Sequence, residues 1–99
     1  MAKLELKREF ASSKSTDCYQ AGLRMVAAAG YQIFKKRDIA SLVICSGTIQ
    51  GNPIELSLMV PLGRPTRVVL TLSSERADES FLISEASRLY ALLEKELSR

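Results

Sequence analysis

Hydrophobic and polar positions along this chain follow two periods, and the switches between them divide it into seven elements. Lys3 to Phe10 alternates. Leu4, Leu6 and Phe10 fall on one side and Lys3, Glu5, Lys7 and Glu9 on the other, which predicts a half-buried strand. Arg8 lands on the apolar side, so its long stem must carry the charge back to water. The polar run Ala11 to Thr16 predicts a loop. Ser15 or Thr16 suits a helix cap, and Asp17 suits the first turn. From there to about Ala29 the period becomes helical. Cys18, Gly22, Met25 and Ala29 share one stripe, which Tyr19, Leu23 and Val26 widen. Gly30 stands where a helix commonly ends in a left-handed residue.

Alternation then returns. Tyr31 to Lys36 predicts a second strand, with Tyr31 and Ile33 on the face opposite Gln32 and Phe34. Arg37 to Ala40 makes a turn, and Ser41 to Gln50 a third strand. Gly51, Asn52 and Pro53 are a strong turn signal. In Ile54 to Val60, Ile54, Leu56, Leu58 and Val60 point inward while Glu55, Ser57 and Met59 point outward. Pro61 to Pro65 closes that strand. In Thr66 to Ser73, Val68, Leu70 and Leu72 point inward and Arg67, Val69 and Thr71 outward. Short turns between successive strands predict an antiparallel meander. The last element runs from Asp78 to about Leu97. Its stripe is Leu82, Ala86, Leu89, Leu93 and Leu97, with Glu85, Arg88, Glu94 and Lys95 lying off it.

The predicted order is β-α-β-β-β-β-α. It describes an α+β fold: a curved antiparallel sheet packed on one face by a long C-terminal helix and a shorter N-terminal helix. With 99 residues and no internal repeat, residues 1–99 are expected to form a single domain. The marks Ala29-Gly30-Tyr31, Asp38, Gly51-Asn52-Pro53, the Arg67 to Leu72 strand and the Asp78 to Leu97 helix, in this order, resemble small helix-grip or TATA-binding-protein-like domains. The resemblance covers nearly the whole chain. It is one of architecture and implies a fold, without a functional motif; such folds host lipid carriers, DNA-binding proteins and assembly modules alike.

Composition narrows the function classes. The chain is 46% hydrophobic and 25% charged, as in ordinary globular proteins and unlike disordered ones. Its apolar runs are too short to span a bilayer, and the N-terminus alternates charged and apolar residues where a signal peptide would carry a continuous apolar core. A cytoplasmic protein, or an excised domain, is expected. There is no histidine, which removes the commonest general base and metal ligand near neutral pH. Cys18 and Cys45 have no metal-ligand spacing and are expected as buried free thiols. No nucleophile elbow or phosphate-cradling glycine loop is present, so neither an enzyme nor a cofactor is expected.

Two binding surfaces remain. Val43, Met59 and Val69, with Ile49 beside them, alternate out of phase with the inward set and are expected on the uncovered sheet face, where an apolar patch would receive a protein partner or another copy of the chain. A small apolar ligand would instead occupy the gap between the last helix and the sheet, near Phe10, Tyr31, Ile33, Leu56, Leu70 and Leu89. The net charge is +3. Lys35, Lys36 and Arg37 form the one dense basic run. Loops at one end of the meander could bring Arg64 and Arg67 beside it, an alternative surface for nucleic-acid phosphates.

Overall fold

The computed structural model describes residues 1–98. The elements are β1 (Ala2–Glu9), α1 (Ser15–Ala28), β2 (Gln32–Arg37), a 3-10 turn (Asp38–Ala40), β3 (Leu42–Ile49), β4 (Asn52–Met59), β5 (Arg67–Ser74) and α2 (Glu79–Leu97). This is the expected β-α-β-β-β-β-α order. The five strands form one open, curved antiparallel sheet in the order β1-β5-β4-β3-β2, which leaves β1 and β2 as edges. Both helices lie on the same face. α2 packs over β1 and β5, α1 packs over β2 and β3, and the two helices pack against each other. Among the described residues no helix is long and apolar enough to cross a membrane.

The local signals act largely as read. Gly30 takes φ +97 just after α1, a conformation that glycine reaches without steric cost. Asp78 caps α2, its carboxylate accepting from the Phe81 N–H at 2.9 Å. The cap of α1 differs from expectation. Lys14 occupies that position with no side-chain hydrogen bond, and Ser15 and Thr16 already lie at the helix start. Arg8 does reach back past the apolar face. Its guanidinium lies 4.4 Å from the Tyr90 ring centroid and pairs with Glu94 at 2.9 Å.

The core lies between the helices and the inner face of the sheet. Cys18, Met25 and Val26 of α1, and Leu82, Leu89 and Leu93 of α2, meet Leu56, Leu58, Leu70 and Leu72 there. Two glycines mark close approaches. A Cβ on Gly22 would come within 2.9 Å of Leu58, and one on Gly47 within 3.0 Å of the Tyr31 ring. The space between α2 and the sheet is thus occupied by core side chains. Tyr31, Leu56, Leu70 and Leu89 are buried members of that core and Phe10 packs at its margin. Ile33, expected beside them, is instead 45% exposed, because β2 lies at the sheet edge.

The largest departure concerns β3. The turn that joins it to β4 is two residues, Gln50 and Gly51, both with positive φ, and Ile49 pairs with Asn52. A three-residue turn at Gly51, Asn52 and Pro53 would have placed the even-numbered residues of β3 inward. The shorter turn reverses the parity, because a one-residue slip moves every side chain to the opposite face. Val43 therefore pairs with Leu58 and is fully buried beneath the helices. Ile49 shares its face and packs against the core. Leu42 and Ile44 take the outer face in their place.

Candidate functional site

Among the described residues no helix lies on the outer face of the sheet, and its register arranges side chains in rows across the strands. One row reads Arg37, Leu42, Met59, Val69, Lys7, from β2 through β3, β4 and β5 to β1. Five strands at the usual spacing put its ends about 19 Å apart. The row is apolar in the middle and cationic at both ends. The next row, Lys35, Ile44, Ser57, Thr71 and Glu5, is more polar. The apolar ground is therefore Leu42, Ile44 and Met59, crowded toward the end of the sheet where the 3-10 turn and the β4–β5 loop lie. An open depression of about 650 Å³ continues it toward β1, with Met59, Leu62, Arg64, Arg67 and Val69 among its lining residues.

The residues expected on this face divide between the two sides of the sheet. Met59 is on the outer face and 36% exposed. Val69 is on the outer face too but only 6% exposed, standing between Met59 and Lys7 in the register. A residue on an uncovered face can still lose its water to long neighbouring stems. Val43 is absent from the patch for the reason given above. Leu42 and Ile44 belong to it and were missed. The signal was present, since β3 is apolar at both parities, but only the turn length chooses between them.

The basic residues are brought to one end of the sheet and divided between its faces. Lys35 and Arg37 pair with Ile44 and Leu42 on the outer side, whereas Lys36 pairs with Val43 on the inner side. A bulge between Ile33 and Lys35 interrupts the alternation at Phe34, which is left exposed. Lys36 lies 3.7 Å from Asp38, and Arg67 pairs with Glu9 at 3.3 Å. Both pairs are exposed, so each is screened and weak. The β2–β3 turn and the β4–β5 loop do meet: the Val60 N–H donates to the Ser41 carbonyl at 3.0 Å. Arg64 and Arg67 consequently belong to the same end of the molecule as Arg37.

One polar cluster lies on the helix side. Tyr31 Oη donates to Glu85 at 2.6 Å, and Arg88 grips the same carboxylate with two hydrogen bonds of 2.7 Å while also donating to the Ala29 carbonyl at 3.1 Å. Glu85 is 4% exposed. Sequence reading placed it off the buried stripe. Yet it stands three residues after Leu82 and four before Leu89, a spacing that puts it on the inward side of α2. Burial, together with the adjacent Glu85 carboxylate, pushes the Tyr31 phenol well above its usual range. The Arg88 guanidinium is held charged more firmly still by its bonds to Glu85. The cluster ties α2 to the end of α1 and the start of β2. Cys18 and Cys45 are buried free thiols, and burial raises the Cys45 thiol to about 11, far from the thiolate a nucleophile needs.

No protein-family model matches this chain, and no curated protein matches it. Among solved structures, it is similar to the crystal structure of TTHA0849 from Thermus thermophilus, at 14% identity and a TM-score of 0.44, over 96% of this chain and 93% of that one.

Proposed function

We propose that this protein is a non-catalytic, cytoplasmic binding module of helix-grip type that receives a protein partner on the outer face of its sheet. The reading rests on one observation: the row Arg37, Leu42, Met59, Val69, Lys7 crosses a face that no helix covers. An apolar centre with a cation at each end suits a partner segment that is apolar in the middle and acidic at its flanks. Apolar contact supplies the affinity, and the charges set orientation and encounter rate. A small apolar ligand has less support, because core side chains fill the space between α2 and the sheet. A nucleic-acid contact, the alternative, would draw on Lys35, Arg37 and Arg64, and its affinity would fall steeply with salt.

Site-specific photocrosslinking in the producing cells tests the reading. A benzophenone amino acid in place of Met59 is expected to yield a protein adduct of one defined mass. The same probe in place of Ile83, a half-exposed residue on α2, is expected to yield none. An adduct of twice the chain mass would identify the partner as a second copy. Equal labelling from both positions, or no protein adduct from position 59, would overturn the proposal.

A further inference from the structure

We infer that the loop end of the sheet docks on an anionic lipid bilayer, with Ile39 and Leu62 entering the headgroup region. Three connections form this end: the β1–α1 loop, the 3-10 turn and the β4–β5 loop. They are bonded into one surface. The Phe10 N–H donates to the Thr66 carbonyl at 2.8 Å, Thr66 Oγ1 donates to the Ser13 carbonyl at 2.8 Å, and Val60 bonds Ser41 as described.

Two aliphatic side chains project from that surface. Ile39 is 101% exposed and Leu62 is 82% exposed. A single exposed aliphatic residue is ordinary. Here two stand on adjacent loops at the same end, and the turn that carries Ile39 is pinned. The Tyr19 hydroxyl donates to the Asp38 carboxylate at 2.8 Å, and the Ser41 N–H donates to the Asp38 carbonyl at 3.0 Å. Ile39 is thus held in water by its own scaffold.

The charges give the end a direction. Lys14, Lys36, Arg37, Arg64 and Arg67 lie at this end against Glu9, Asp17 and Asp38, and the C-terminal turns of α2 add Lys95 with Glu94 and Glu96, which pair with Arg8 and Arg24. The opposite end of the sheet, with the β3–β4 turn and the β5–α2 link, carries Glu55, Glu75, Asp78 and Glu79 against Lys3 and Arg76. The molecule is therefore polar along its strands, and a negatively charged surface would attract it loops first. Projecting aliphatic tips suit a soft apolar layer beneath charged headgroups. Phosphate backbones offer them nothing, and a folded partner would need a pocket for each. Neither a few aliphatic groups nor a few cations hold a protein at a bilayer firmly alone, so both signals are required together.

The full-length protein, sedimented with vesicles, provides the test. It is expected to pellet with phosphatidylcholine vesicles containing a substantial phosphatidylserine fraction and to stay in solution with phosphatidylcholine alone. Ile39→Asp with Leu62→Asp is expected to lower partitioning about tenfold or more, as is Arg37→Glu with Arg64→Glu. These four side chains are exposed, and unchanged circular dichroism would confirm folding. Because the chain contains no tryptophan, Leu62→Trp supplies a single fluorophore whose emission should shift to the blue with the anionic vesicles only. No pelleting with anionic vesicles would overturn the inference. So would pelleting that survives the double aspartate variant, which would mark a general polyanion surface, or an unshifted tryptophan. None of these outcomes bears on the crosslink from position 59, so the two proposals can fail separately.

Discussion

The two faces of the sheet are built from the same five strands, yet they differ in kind. On the helix side Val43, Leu56, Leu58, Leu70 and Leu72 pack against two helices and exclude water. On the outer side Leu42, Ile44 and Met59 share ground with Lys7, Lys35 and Arg37. Neighbours in sequence show the contrast. Leu58 is fully buried and Met59 is 36% exposed. Apolar surface thus serves two purposes. On one face it drives folding, and on the other it remains available for contact. The difference comes from what lies above each face.

The strongest way to break this contrast is to truncate matched residues on the two faces. Leu58→Ala removes buried methyl groups beside Gly22 and is expected to cost about 2–5 kcal/mol. Met59→Ala is expected to cost less than about 1 kcal/mol, the ordinary range for a surface change. Urea denaturation of both variants measures the gap. Equal losses would mean that the outer face is covered in the isolated protein.

A smaller effect tests the ionic cluster on the helix side. Arg88→Met or Tyr31→Phe leaves Glu85 short of a donor and is expected to cost roughly 1–3 kcal/mol. Arg88 is 42% exposed along its side chain, so water repays part of its loss. Removing all three groups together, as Tyr31→Phe, Glu85→Leu and Arg88→Met, is expected to recover stability relative to Arg88→Met alone. A triple variant worse than the single one would show that the cluster contributes more than its own satisfaction.

The last test is a dependence on pH. Cys45 and Tyr90, both buried on the helix side, hold their protons more tightly when folded. Burial raises Cys45 from 9.0 to about 11 and Tyr90 from 10.0 to about 12. The unfolded chain releases these protons first, so it binds fewer of them than the native state at alkaline pH, and stability falls as pH rises. Their contribution is complete below pH 9. It is lost between pH 9 and 11 for Cys45 and between pH 10 and 12 for Tyr90. The urea midpoint under reducing conditions should therefore decline across this window, and less steeply in Cys45→Ala. Outer-face variants should leave the slope unchanged.

Much of the fold was legible because its cues are local. Alternation marked β1, β4 and β5, the leucine spacing marked α2, and Gly30 and Asp78 marked helix ends whose geometry depends on a few neighbouring residues. The candidate face was only partly legible. Met59 and Val69 could be assigned because their strands alternate cleanly. Val43 could not, since Leu42, Val43, Ile44 and Cys45 are apolar at both parities. Glu85 was misplaced because its identity suggested the surface while its spacing pointed inward.

The sequence by itself determined the elements, their order and the inward residues of the clean strands, since these follow from short-range periodicity and capping. Tertiary structure alone decided the parity of β3, the burial of Glu85 with Tyr31 and Arg88, and the meeting of the turn carrying Ile39 with the loop carrying Leu62. Each depends on pairing between distant parts of the chain. The physical reason is that a strand carries no label for its two faces: the length of one turn and the position of two helices assign them.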